Sequence, residues 1–142
     1  MNKIKSLRTL ETNVDLGLLI LRVSVASMML LHGISKLSNG IGVIEGLVTE
    51  SGLPQFFAYG VYIGEILAPL LIILGWATRG AALVLFINCV VALVMVHIGD
   101  IFSLNATGGW AVELLGLYMF GSLALIFTGG GKYALSNKYI WD

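Results

Sequence analysis

Long apolar segments dominate this 142-residue chain and limit its possible folds more than any other feature. A helix needs roughly twenty residues to cross about 30 Å of hydrocarbon. Four segments meet this requirement, and they run over residues 16–35, 56–76, 80–98 and 109–128. Because lipid offers the backbone no hydrogen-bond partners, such segments are expected to be helical. The sequence therefore predicts an all-α fold, an integral membrane four-helix bundle forming a single transmembrane domain over residues 1–142.

Composition agrees with a chain that has the lipid bilayer as its main partner. Hydrophobic residues make up 58% of the sequence and charged residues only 11%, which is too few for the surface of a water-soluble domain of this length. The formal net charge is zero, so no nucleic-acid partner is expected. Cys89 is the single cysteine, which excludes an internal disulfide or a CxxC redox pair.

The connection between the first two apolar segments carries a helical pattern of its own. From residue 39 to residue 51, apolar side chains recur at helical spacing, with Glu45 and Glu50 off the apolar stripe. The segment then runs into Gly52-Leu53-Pro54, which ends a helix. We therefore expect a short amphipathic helix at the bilayer surface between the first and second membrane helices.

Basic residues predict the orientation in the membrane. Six of them fall on the side that holds both termini, namely Lys3, Lys5, Arg8, Arg79, Lys132 and Lys138. The opposite side has only Lys36. Since basic residues favour the cytoplasmic side, both termini are expected in the cytoplasm.

Ionisable side chains within or next to the apolar segments form a candidate polar site. Each costs at least a few kcal/mol at membrane depth, so each requires a partner or a role. The candidates are Arg22, His32, Lys36, Glu65, His97 and Glu113. A rise of about 1.5 Å per residue places most of them at one level in the outer half of the bilayer, with Arg22 below and reaching upward.

The surroundings of Glu65 favour a pocket. Gly60, Gly64 and Ala68 form a row of small residues that lets another helix approach closely. Pro69 lies four residues after Glu65 and cannot donate to its carbonyl, so a kink is expected there. A carboxylate beside a kink and a close helix contact is a common way to build a polar pocket.

Structural roles compete with functional ones for these charges. Arg22 and Glu65 are equally compatible with a buried ion pair that only fixes the helix register. Lys36 is expected to extend outward to water.

The histidines also have an alternative role, as helix-end groups bonded to carbonyls or interfacial water. Glu113 lies near the interface, where solvation is easy. Asn88 lies about 180° around its helix from His97, which argues against a shared pocket. No metal site is expected, since no segment carries a paired E-x-x-H.

Several short motifs resemble the DoxX family of small four-helix bacterial membrane proteins. They are Leu31-His32-Gly33 with Lys36-Leu37, Gly52-Leu53-Pro54, Glu65, Leu74-Gly75, Thr78-Arg79-Gly80-Ala81-Ala82, His97, Glu113 and Gly130-Gly131-Lys132-Tyr133-Ala134-Leu135. Each motif is short, and their order and spacing carry the resemblance from residue 16 to residue 137. Gly130 departs from a proline that is frequent in the family.

The resemblance implies a link to quinone-dependent oxidation, or a membrane anchor for a redox partner protein. The expected function is a subunit or anchor of a quinone-linked oxidoreductase, with quinone as the ligand and no cofactor bound by the chain itself. One alternative is a small-solute or proton transporter, which would need a homo-oligomer to form a sufficient cavity. The other is a structural scaffold whose buried charges have no chemical role.

Overall fold

Five main helices occur among the residues that the structure describes. The computed structural model describes the backbone of residues 2–142 and the side chains of residues 13–142, and no strand occurs in this range. The helices are α1 (Asn2–Asn39), α2 (Gly42–Glu50), α3 (Gln55–Leu74), α4 (Thr78–Val96) and α5 (Glu113–Thr128). The all-α prediction is confirmed over the described residues.

Three of these helices are long and apolar enough to cross a membrane. They are the Asn13–Asn39 part of α1, all of α3 and all of α4. Helix α5 is apolar but has only 16 residues, so the fourth crossing stays a prediction.

Helix α5 begins at Glu113 rather than at Gly109, because the preceding residues form a turn. Leu104 pairs with Trp110 in an isolated bridge, and the Trp110 indole donates to the Ile101 carbonyl over 2.7 Å. The residues directly before Glu113 therefore belong to the loop between α4 and α5.

A small core joins the membrane-length helices to α5. Ile72, Leu85 and Leu125 are fully buried at its centre, and Ala26 and Ala82 allow the helices to approach closely around them. Many other large apolar side chains are exposed, as expected for helices whose outer faces contact lipid tails.

The predicted short helix between the first two membrane helices is present as α2. It ends before Gly52, whose φ of 77° is the left-handed conformation that glycine adopts freely. Ile41 and Val48 on its apolar side are buried with Ala58 of α3. Part of the apolar stripe therefore contacts protein, and the location of α2 at the bilayer surface stays a prediction.

The C-terminal segment of residues 129–142, here called the C-terminal clasp, folds back over one end of the bundle. Leu135 and Ser136 donate backbone hydrogen bonds to the carbonyls of Leu74 and Gly75. The Arg79 amide donates to the Trp141 carbonyl over 2.9 Å. The clasp therefore covers the corner between α3 and α4.

Three of the six basic residues counted for orientation lie at this end, namely Arg79, Lys132 and Lys138. Lys3, Lys5 and Arg8 lie outside the residues whose side chains the structure describes.

Candidate functional site

A cavity of about 310 Å³ lies in the half of the bundle away from the clasp. Helices α1, α3, α4 and α5 and the end of the α4–α5 loop contribute its wall. The lining residues are Met29, His32, Lys36, Glu65, Asn88, Cys89, Ala92, His97, Ala111, Val112, Leu114, Leu115 and Tyr118. Four of the six predicted site residues are among them, and Arg22 and Glu113 are not.

An ion pair between Lys36 and Glu65 is the main charged feature of the cavity. The Lys36 ammonium donates to both carboxylate oxygens of Glu65, at 2.5 Å for Oε1. The exposed fractions of the two side chains are 29% and 9%, so the pair is largely shielded from solvent.

Two expectations about this pair were wrong. Lys36 does not extend outward, and Glu65 does not pair with Arg22. The physical reason is that α1 continues to Asn39, so Lys36 lies within the helix and its flexible stem reaches a shielded carboxylate.

The backbone around Glu65 departs from a regular α-helix. Residues Ile63–Leu67 form a π-helical turn, in which the Ala68 amide donates to the Ile63 carbonyl five residues earlier. Pro69 follows directly and has no N–H to donate to the Glu65 carbonyl. The irregularity expected at the proline is therefore a π-helical turn that contains Glu65 itself.

Two glycines bring neighbouring helices against this turn. A Cβ placed on Gly64 would lie 2.5 Å from the Asn88 side chain of α4, and one placed on Gly33 of α1 would lie 2.5 Å from the Glu65 carbonyl. Of the predicted row of small residues, Gly60 has open space beside it. The close approach therefore occurs at Gly64 and fixes Glu65 between α1 and α4.

Arg22 lies at the opposite end of the bundle, where it binds backbone rather than a carboxylate. Its guanidinium donates to the carbonyls of Ile72 at 3.2 Å, Ile73 at 3.0 Å and Tyr133 at 2.5 Å. The residue is only 2% exposed. Arg22 thus binds α1 to the end of α3 and to the clasp. The expectation that it reaches upward was wrong, because its side chain does not extend to the cavity.

The two histidines lie on different parts of the cavity wall. The His32 ring of α1 meets the Tyr118 ring of α5 edge-on, with centroids 5.8 Å apart. His97 lies just past the end of α4 with φ −119°, and its Nδ1 is 3.1 Å from Oδ2 of Asp100.

The argument against a shared pocket for Asn88 and His97 was wrong, because both line the cavity. Helical phase does not apply to His97, which follows the last helical residue of α4, Val96.

Glu113 begins α5 with an exposed side chain on the loop side. The nearest polar group is the Asn105 side-chain amide, which donates to its Oε1 over 3.4 Å. This carboxylate therefore belongs to the loop rather than to the cavity.

Tyr118 is the cavity residue that the sequence argument missed, since it was interpreted as a packing or interfacial aromatic. It is 5% exposed and lines the cavity beside His32. A phenol in the middle of an apolar helix was the available signal, because a buried hydroxyl normally requires a partner.

Chemically, the cavity combines apolar walls with several hydrogen-bonding groups. An ammonium, a carboxylate, two imidazoles, a phenol, an amide and a thiol face Met29, Ala92 and Leu115. Among the described residues, no group of three or more His, Cys, Asp or Glu side chains is placed to hold a metal ion. The site suits a small, largely apolar molecule with hydrogen-bond acceptors, and its groups are able to hold and transfer protons.

Comparison with known proteins gives one family and two curated relatives. The chain matches the DoxX family over residues 17–98. A protein of Haemophilus influenzae described as uncharacterized is 36% identical over 125 residues, which cover 86% of this chain and 90% of the relative. The "Putative oxidoreductase CatD" of Bacillus subtilis is 30% identical over 121 residues, 85% of each chain. No solved structure matches the chain significantly.

Proposed function

The chain belongs to the DoxX family, and we propose that it acts as a membrane subunit or anchor of an oxidoreductase system that exchanges electrons with a quinone dissolved in the lipid. The observation that carries the proposal is the Lys36–Glu65 ion pair in the wall of a cavity at membrane depth. The name of the Bacillus subtilis relative supports an oxidoreductase system in general terms.

The cavity has the properties that a quinone head group requires. A quinone ring is flat and apolar with two carbonyl oxygens that accept hydrogen bonds, so it needs donors at the edge of an apolar slot. Lys36, His32 and Tyr118 offer such donors around the apolar side chains of Met29 and Leu115. A volume of about 310 Å³ is at the lower end of ligand pockets, which run from about 300 to 1,000 Å³. This volume suits a head group whose tail stays in the lipid.

Proton transfer is the chemistry that these residues would contribute. Reduction of a quinone to a quinol takes up two electrons and two protons, and oxidation releases them. The electrons would come from, or go to, a cofactor of a partner protein. Lys36 would bind a carbonyl oxygen and keep Glu65 in place, while Glu65 and a histidine would hold the protons.

The basic residues support the proposed orientation. We place the protein in the bacterial inner membrane with both termini in the cytoplasm, because the clasp end carries Arg79, Lys132 and Lys138. The cavity would then lie in the periplasmic half of the membrane.

A thermal-shift experiment tests quinone binding. The purified protein is heated in a mild detergent with and without a short-tailed ubiquinone or menaquinone analogue. At an analogue concentration of a hundred times Kd, binding would stabilise the native state by about 2.7 kcal/mol. Glu65→Gln removes the charge and is expected to abolish the shift. Glu113→Gln is the matched control, since it makes the same change in a carboxylate outside the cavity, and it should keep the full shift.

Several outcomes would contradict the proposal. Failure of every quinone analogue to stabilise the wild-type protein would do so, and equal loss in both variants would show that the effect is not specific to the cavity. Proton flux through liposomes that contain this chain alone, without any quinone effect, would favour a transporter.

Mild-detergent purification from native membranes, with a visible spectrum of the co-purifying proteins, would identify the redox partner.

A further inference from the structure

The cavity lies close to only one end of the bundle. On α1 its wall runs from Met29 to Lys36, and on α4 it runs from Asn88 to His97. These stretches are the ends of α1 and α4 that face the α4–α5 loop, residues 97–112. An ion pair at membrane depth needs a route by which it exchanges protons with water.

The opposite end of the bundle is closed. Ile72, Leu85 and Leu125 are fully buried in the core, and close-packed apolar side chains of this kind leave little room for water. Beyond them the Arg22 guanidinium is bound to backbone carbonyls of α3 and of the clasp. We therefore expect no open proton route from the clasp end to Glu65.

His97 provides a connection at the loop end. Its side chain lines the cavity and is still 43% exposed, because it lies past the end of α4. Its Nδ1 contacts Asp100, whose side chain is 52% exposed. A carboxylate with this exposure requires water, so the contact places the imidazole at the aqueous boundary. The second ring nitrogen can donate or accept a further hydrogen bond.

We infer that His97, held by Asp100, forms the mouth through which the Lys36–Glu65 pair exchanges water and protons with the aqueous phase beside the α4–α5 loop, and that the clasp end is sealed. Which reaction uses these protons rests on the proposed function. The side from which water reaches the cavity does not depend on that function, because it follows from the position of the cavity between the two ends of the bundle.

Thiol labelling in sealed vesicles tests the access. In a Cys89→Ala background, Ala92→Cys places a thiol in the cavity wall. Val91→Cys is the matched control, because the adjacent side chain is 48% exposed but lies outside the cavity, where lipid is expected to cover it. Ala106→Cys on the loop and Ile140→Cys on the clasp report which side of the vesicle a charged methanethiosulfonate reaches.

We expect Ala92→Cys to react from the same side as Ala106→Cys, and roughly tenfold faster than Val91→Cys, because the reagent attacks a hydrated thiolate. His97→Trp should slow this reaction roughly tenfold by filling the mouth, while Glu113→Trp adds the same ring outside the cavity and should not. Thermal unfolding of each variant verifies that it folds.

Labelling from the side of Ile140→Cys would overturn the inference, and so would a rate no higher than that of Val91→Cys. A further arm adds a short-tailed quinone. Protection of the Ala92→Cys thiol would support both the access route and the proposed function. Unchanged labelling in the presence of the quinone would count against quinone binding and leave the access route standing.

Discussion

Helix α1 carries two buried or half-buried cations, and their surroundings differ. Arg22 is bound by three backbone carbonyls at the clasp end and does not line the cavity. Lys36 is bound by the carboxylate of Glu65 in the wall of the cavity. The same helix thus presents one cation to a closed end and the other to an open space.

The difference separates a structural charge from a candidate functional one. An arginine has five donors in a fixed planar fork, which suits several carbonyls at once and cannot lose its proton. A lysine–glutamate pair combines a flexible ammonium that donates hydrogen bonds with a carboxylate that accepts them, so either group can also bind a ligand in the cavity. Transport, redox or proton chemistry is therefore expected at the cavity, and cohesion of the bundle at the clasp.

The largest stability effect is expected at Arg22. Arg22→Met removes the donor to the carbonyls of Ile73 and Tyr133 and leaves the Ile72 carbonyl with the Gly75 amide alone. We expect this loss to lower the free energy of unfolding by roughly 3 kcal/mol or more. Arg22→Lys should recover only part of this loss. The ammonium can still donate to a carbonyl, but it cannot reproduce the planar fork of the guanidinium. Denaturation of the detergent-solubilised protein by SDS or heat measures both.

The exposed Lys132 is the matched control at the same end of the bundle. Its replacement by Met should change the free energy of unfolding by no more than about 0.5 kcal/mol. If Arg22→Met were equally mild, the clasp end would not depend on this arginine, and the contrast between the two cations would disappear.

A smaller effect, with a different pattern, is expected at the ion pair. Glu65→Leu alone leaves the Lys36 ammonium without its partner and should cost roughly 2 kcal/mol. Lys36→Met combined with Glu65→Leu removes both charges and should return the free energy of unfolding to within about 1 kcal/mol of wild type. Arg22 allows no such rescue, because its partners are backbone groups that mutation cannot remove.

A double-mutant cycle measured by the same denaturation assay gives the coupling free energy of the pair. Additive losses in the double variant would contradict the expectation. Full recovery of stability with loss of quinone binding would show that the charges serve the ligand rather than the fold. Full recovery with no ligand effect would favour the scaffold alternative.

The helices were predictable from the sequence because lipid as a solvent makes apolar length a strong signal. The first turns of the predicted fourth helix were not, since Trp110 and its loop hydrogen bonds hold that stretch in a turn. Depth along the helices brought His32, Glu65, His97 and Glu113 to one level, with Lys36 at the membrane boundary. The structure places His32, Lys36, Glu65 and His97 on one cavity and leaves Glu113 outside it.

Partner choice within the site was beyond the sequence. Depth and helical phase describe where a side chain starts but not how far it reaches, so Lys36 rather than Arg22 pairs with Glu65. The partners of Arg22 are carbonyls at a helix end and in a returning C-terminal segment, and no residue pattern marks a free carbonyl. The argument from helical phase failed for His97, because α4 ends at the preceding residue.

The smallest expected effect concerns the closure of the clasp and depends on pH. The Ser136 hydroxyl, together with backbone N–H groups of Tyr139, Lys138 and Ala77, donates to the Asp142 carboxylate and lowers its pKa from 3.8 to about 2. Since the pKa is lower in the folded protein, the carboxylate stabilises the fold above its ordinary pKa. This contribution is lost as pH falls from about 4 towards 2.

Tm measured between pH 5 and pH 2 should therefore fall more steeply in the wild type than in Asp142→Asn, which has no carboxylate to protonate. Above pH 5 the variant should be less stable, because its neutral amide accepts the same N–H groups more weakly than a carboxylate does. Glu50→Gln removes an exposed carboxylate from α2 and should leave the difference in slope unchanged. Parallel curves for wild type and Asp142→Asn would show that the clasp closes without this carboxylate. Arg22 and the backbone hydrogen bonds of the clasp would then hold it to the bundle, and the loss expected in Arg22→Met should be correspondingly larger.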